Sequence, residues 1–82
     1  MMSLEWDAEL DARGLPCPLP LLRTKQALAP LAGGQVLRVL ATDAAAPRDF
    51  AAYAEATGHG LMQVESADGG FVLYLKKRED AA

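Results

Sequence analysis

The sequence predicts an α+β fold: a two-layer α/β sandwich with the element order βαβαββ, in which two helices cover one face of a four-stranded mixed sheet. Three observations carry this prediction. Apolar residues switch between a period of two and a helical period along the chain, marking four strand-like and two helix-like segments. Gly33-Gly34, Gly58 and Asp68-Gly69-Gly70 stand between those segments as stop and turn signals. The chain has 82 residues and is 51% hydrophobic, enough for one small core without staples, so residues 1–82 are read as a single domain.

Taken in order, Leu4, Trp6, Ala8 and Leu10 alternate with Glu5, Asp7, Glu9 and Asp11, the period of a strand wetted on one face. A helix-patterned run follows from Leu21 to Leu31 and stops at Gly33-Gly34. Placed on a wheel at about 100° per residue, Leu21, Thr24, Ala27, Leu28 and Leu31 share one arc and form the expected core stripe. Val36 to Ala41 is a nearly continuous apolar strand, which completes a strand–helix–strand crossover of expected right hand. The second helix is expected from about Pro47 to Thr57, with Thr42 or Asp43 near its cap and Phe50, Tyr53, Ala54 and Thr57 on its inner face. Leu61 to Glu65 and Phe71 to Lys77 read as two strands joined by an Asp-Gly hairpin turn.

Composition narrows the function. A net charge of −3 gives no general attraction to phosphate backbones, and the basic run Lys76-Lys77-Arg78 is followed at once by Glu79 and Asp80, so direct nucleic-acid binding is not expected. The first nine residues hold three acids and a tryptophan rather than a basic region and an apolar one, and no uncharged apolar run approaches membrane-spanning length. A lone cysteine excludes an internal disulfide, a Cys-x-x-Cys pair and a zinc cluster. A usable thiol and no targeting segment point to the cytoplasm.

That cysteine is Cys17, within Leu15-Pro16-Cys17-Pro18-Leu19-Pro20, directly ahead of the first helix. Pro18 disfavours the α region for Cys17 and suits the first helical position, so Cys17 is expected to cap the helix, with the Leu19 N–H left free beside the sulfur. Pro20 is tolerated because the first turn lacks intrahelical acceptors. A thiolate there would face the positive end of the helix dipole, within about a turn of Arg13, Arg23 and Lys25, which predicts a lowered thiol pKa and nucleophilic sulfur chemistry. The competing reading is that a free cysteine simply packs as a small hydrophobe. Leu19 and Leu22 fall outside the core stripe and, with Arg23, form a candidate docking pad beside the thiol. His59, between Gly58 and Gly60, reads as a solvated turn residue rather than a general base. Asp43, Arg48 and Asp49 read mainly as capping and surface charges of the second helix, the alternative being that the arginine pairs with a sulfur species at Cys17, and Asp11 and Arg13 read as candidates to hold the loop before the cysteine.

The stretch Asp11-Ala12-Arg13-Gly14-Leu15-Pro16-Cys17-Pro18-Leu19-Pro20 resembles the D-x-x-G-x-x-C-P-x-P signature of the TusA/SirA-like sulfur carriers, and Ala41-Thr42-Asp43 through Arg48-Asp49-Phe50 is similar to that family's second segment. The likeness extends from the first strand to about Leu75 and implies the same βαβαββ order. It implies that Cys17 accepts sulfane sulfur as a persulfide from a cysteine desulfurase or a rhodanese-like donor and relays it to a downstream acceptor protein, as in tRNA 2-thiolation, molybdenum-cofactor biosynthesis or sulfur oxidation. Asp11, Gly14, Pro18 and Pro20 would position the motif. The resemblance implies a sulfurtransferase-type carrier with no cofactor or metal of its own. Position 19, acidic in some relatives, is leucine here, which removes a charge next to the sulfur. Three other readings stay open at this stage: a regulatory protein-binding module, an RNA-binding α/β domain and a thiol redox sensor.

Overall fold

The computed structural model describes residues 4–79. Its elements follow the expected order: β1 (Ala8–Ala12), α1 (Leu19–Leu28), β2 (Val36–Ala41), α2 (Ala46–Thr57), β3 (Gly60–Ala67) and β4 (Gly70–Lys76). The sheet order is β1-β2-β4-β3, with β1 parallel to β2 and the remaining pairs antiparallel, so the sheet is mixed as the pattern requires.

Alternation along β2 and β4 builds the two faces. Leu37, Val39 and Ala41 of β2 and Leu73 and Leu75 of β4 point toward the helices, where they meet Thr24 and Leu28 of α1 and Ala46, Phe50 and Ala54 of α2. Burying a side chain such as Phe50 or Leu73 stabilises the fold by roughly 1.5–3 kcal/mol relative to exposure. On the outer face Tyr74 is covered by Trp6, with ring centroids 6.0 Å apart, and the Arg38 guanidinium lies 4.6 Å from the centre of the Trp6 ring. Arg38 also donates to the Tyr74 hydroxyl at 3.3 Å and pairs with Glu9.

Element ends depart from the sequence reading for local reasons. β1 begins at Ala8 rather than Leu4, because the Asp7 carboxylate takes the Val36 N–H at 2.8 Å in place of a ladder acceptor and the chain ahead of it leaves the edge. α1 closes at Leu28 rather than Leu31, since Pro30 has no N–H to continue the ladder and its ring clashes with the preceding turn. The Asp68-Gly69 turn has positive φ at both residues, 27° and 79°, the geometry of a two-residue hairpin connection. Gly70 is required for a different reason: a Cβ there would fall 2.5 Å from the Ala41 carbonyl oxygen. No helix among the described residues is long and apolar enough to cross a membrane.

Candidate functional site

The parallel register pairs Ala12 with Ala41, so β1 and β2 end at the same level and the loops that follow them emerge side by side. The Gly14 N–H donates to the Thr42 hydroxyl at 2.9 Å and fastens the loops together. Gly14 holds φ at +81°, which an L side chain rarely adopts, so the motif glycine answers a backbone requirement. Just before it, the Asp11 carboxylate accepts the Arg13 backbone N–H at 3.1 Å and its Nε and Nη2 at 2.9 Å each. Those bonds pull the Asp11 pKa down to about 2. The pair stands in solvent, so it shapes the loop more than it stabilises the protein.

Beyond this clasp the chain turns tightly over 16–19. The Pro16 carbonyl accepts the Leu19 N–H at 2.8 Å, and the Cys17–Pro18 peptide is cis. The helix then starts at Leu19 with Pro18 as its cap residue, whose carbonyl accepts the Leu22 N–H at 3.1 Å, and no side chain caps it. Two expectations are corrected here. Cys17 is not the cap but lies ahead of it in the turn, and the Leu19 N–H is not free. The cause is local: Pro18 and Pro20 have no N–H, so the donor of Leu19 between them goes to closing the turn. Pro20 sits in the first turn as expected, buried, and its carbonyl accepts the Thr24 hydroxyl at 2.8 Å.

Cys17 is exposed, and its Sγ donates to Asp49 Oδ2 at 3.3 Å, bridging 32 positions of sequence from the turn to the first turns of α2. The Cys17 sulfur and one carboxylate oxygen each from Asp43 and Asp49 lie within 4.8 Å of one another. The hydrogen bond to Asp49 is the main influence that pushes the thiol pKa up; desolvation and the charges of Asp49 and Asp43 act in the same direction, and Arg48 opposes them. The lowered thiol pKa expected from Arg13, Arg23 and Lys25 is therefore reversed. Arg13 is engaged by Asp11, the Lys25 ammonium lies 5.7 Å from the centre of the Tyr53 ring, and Arg23 stands in solvent. Sequence reasoning missed both the Cys17–Asp49 and Gly14–Thr42 bonds, although the Asp43 to Asp49 segment held the signal as a charged motif.

Leu19 and Leu22 lie outside the core stripe, as their place on the helix wheel predicts. Leu19 and Leu22 are 38% and 45% exposed beside the turn, with Arg23 exposed next to them. Leu21 and Ala27 pack against the core and Thr24 and Leu28 lie within it, which matches the stripe. A hollow of about 480 Å³ is formed by Gly58, Gly60 and residues 76–79, and one of about 290 Å³ lies against the loop clasp, with Arg13, Thr42, Arg38, Asp68 and Val72 among its lining; Cys17 lines neither. The sulfur is thus offered to solvent at the turn.

His59 follows the far end of α2, whose 12 residues span about 18 Å, so it is not a base for Cys17. It is half-buried rather than solvated: Nδ1 accepts the Arg78 N–H at 3.0 Å and the ring packs 5.7 Å from Tyr53. Burial, and then the Arg78 and Lys77 charges, hold its pKa below the ordinary histidine value.

The model of the family described as sulfurtransferase TusA matches residues 8–77, from the first residue of β1 to just past β4. The chain is 48% identical over 73 residues to the sulfur carrier protein TusA of Allochromatium vinosum, covering 89% of this chain and 96% of that protein. It is 51% identical over 69 residues to a putative sulfur carrier protein of Neisseria meningitidis, covering 84% and 93% respectively. A crystal structure of a SirA-like protein from Desulfitobacterium hafniense superposes with a TM-score of 0.77 at 30% identity, over 89% of this chain and all of that one. With the motif cysteine displayed at a proline-framed turn in a fold of this kind, the chain belongs to the sulfurtransferase TusA family.

Proposed function

We propose that this protein is a sulfur carrier that takes sulfane sulfur as a persulfide on Cys17 and relays it to a second protein. The observation that carries the reading is the presentation of a single exposed thiol in a proline-framed turn beside the exposed Leu19 and Leu22. A thiol so placed suits reaction with another macromolecule's sulfur. Having no second cysteine, the chain cannot displace its own cargo by closing an internal disulfide.

The donor is a cysteine desulfurase or a rhodanese-like protein and the acceptor another protein thiol. Donor and acceptor dock in turn on the Leu19, Leu22 and Arg23 surface, which is small enough to give short-lived complexes. Asp11 and Gly14 shape the loop that carries the turn, and Pro18 and Pro20 set the turn and the helix start. A reducing, cytoplasmic setting suits a thiol that must stay available between cycles.

Intact-protein mass spectrometry tests the reading. After incubation of the reduced protein with a cysteine desulfurase and cysteine, the mass is expected to rise by one sulfur atom, to return on reduction, and to stay unchanged in Cys17→Ala. Absence of any gain with desulfurase and rhodanese-type donors alike would overturn it.

A further inference from the structure

In the unloaded protein the Cys17 thiol has one side-chain acceptor, Asp49, reached across the gap between the turn and α2. The charged groups that act on this thiol come from the segment leading into and opening α2: the Asp49 carboxylate, the Asp43 carboxylate and, opposing them, the Arg48 guanidinium. The cations of the turn and α1 are placed otherwise: Arg13 is held by Asp11, the Lys25 ammonium lies 5.7 Å from the centre of the Tyr53 ring, and Arg23 stands in solvent. Arg48 Nε lies 3.7 Å from Asp49 Oδ1, so the same carboxylate is shared between a cation and the thiol.

We propose that Asp49 is the positioning residue of the sulfur-transfer step, holding the unloaded Cys17 as a neutral thiol aimed at α2 and receiving its proton when the sulfur attacks. The proposal rests on reading Cys17 as the sulfur-bearing residue. In loading, the Cys17 S–H bond breaks and its proton passes to Asp49 Oδ2. Sγ forms a bond to the outer sulfur of the donor persulfide, and the donor's own S–S bond breaks with the electron pair left on the donor sulfur, which takes up the proton. The donor is reduced from persulfide to thiol as Cys17 is oxidised from thiol to persulfide, so no further oxidant or reductant enters.

Two consequences distinguish the empty from the loaded protein. Empty, the sulfur is a protonated and therefore slow nucleophile, guarded against stray electrophiles and oxidants until a partner sulfur is aligned with it. Loaded, Sγ has no proton to donate, and an ionised outer sulfur is turned away from Asp49 and Asp43 by like charge, toward the side from which an acceptor arrives. The contact that restrains the thiol thus lapses when the cargo is aboard.

The test follows alkylation of the full-length reduced protein by iodoacetamide as a function of pH, read by intact mass and by thiolate ultraviolet absorbance, with no sulfur donor present. Asp49→Asn keeps the shape and removes the charge. Its half-titration is expected to fall by a unit or more, raising the rate at neutral pH about tenfold. Asp49→Glu is expected to keep most of the wild-type restraint, and Arg48→Ala to slow alkylation. An Asp49→Asn profile within twofold of wild type, or shifted to higher pH, overturns the proposal. Should Asp49→Asn fail to fold by circular dichroism, Asp43→Asn and Arg48→Ala decide: opposite shifts support the proposal, and shifts in the same direction or none overturn it. Sulfur uptake from a desulfurase, measured on the same samples, separates the two readings. A shifted alkylation profile without uptake sinks the carrier function and with it the transfer step, leaving only the restraint of the thiol by Asp49, and normal uptake with an unmoved profile sinks the role of Asp49 alone.

Discussion

At the end of the sheet that carries Cys17 the chain is held by contacts between loops, whereas at the opposite end the residues after β4 tie down both helices. The loop end rests on Gly14 to Thr42 at 2.9 Å and Cys17 to Asp49 at 3.3 Å, neutral or thiol donors in exposed positions. The other end uses cations on the carbonyls that close the helices. Lys77 Nζ donates to the Leu28 and Ala29 carbonyls at 2.8 and 3.0 Å, and Arg78 Nη1 to the Thr57 carbonyl at 2.9 Å. Helix C-termini carry partial negative charge, so cations there are doubly placed, as hydrogen-bond donors and as dipole partners. The difference divides labour. Stability is anchored at the end away from Cys17, and the end that the proposed function assigns to docking is held by exposed hydrogen bonds between distant segments.

The sharpest way to break the comparison is Cys17→Ser, expected to abolish sulfur uptake while leaving the thermal midpoint in place, because the side chain is exposed; calorimetry beside mass spectrometry checks both halves. Gly70→Ala is expected to destabilise by about 1–3 kcal/mol, since the new Cβ would stand 2.5 Å from the Ala41 carbonyl oxygen, where the start of β4 passes the end of β2; urea unfolding measures it. Lys77→Met removes the two charged donors from the end of α1 and is expected to cost about 1–2 kcal/mol, with sulfur uptake unchanged. Thr42→Val leaves the Gly14 N–H without its acceptor and is expected to cost about 1 kcal/mol, with a change in the uptake rate that the Lys77 variant lacks.

The smallest effect is a pH dependence at the far end. Folding lowers the His59 pKa, so the folded state disfavours the protonated ring. The stability this gives is present above the unfolded value of about 6.5 and is lost as pH falls through the folded value. His59→Asn is expected to flatten that limb of the stability curve between about pH 7 and 5. The Cys17 shift is opposite in direction but its effect also rises with pH: with the thiol pKa raised, sulfur reactivity climbs with pH through and beyond the ordinary cysteine range.

The order of elements was readable because each segment carries its own period. The alternation of β2 survives in the buried Leu37, Val39 and Ala41, and the stripe of α1 in Thr24 and Leu28. Pro30 was an available signal for the end of α1, and the alternation from Leu4 hid it that a strand needs a partner as well as a pattern. The surroundings of the thiol were not readable. A local argument placed Cys17 on the dipole of the helix that follows it, but its Sγ contacts the acidic start of the other helix instead, a juxtaposition made by the Ala12–Ala41 register and two loops. Local sequence located the motif; the fold set both the turn that holds Cys17 and the charge that faces it.

Trp6 is the chain's one tryptophan, and it lies on the sheet face turned away from both helices, against Tyr74 and beneath the Arg38 guanidinium. Its fluorescence therefore reports whether that face is intact and is indifferent to what happens at the sulfur. Urea unfolding curves taken from tryptophan emission on empty and loaded samples share one optical reporter, so the displacement between their midpoints, multiplied by the slope of the transition, gives the free energy by which the cargo itself changes the fold.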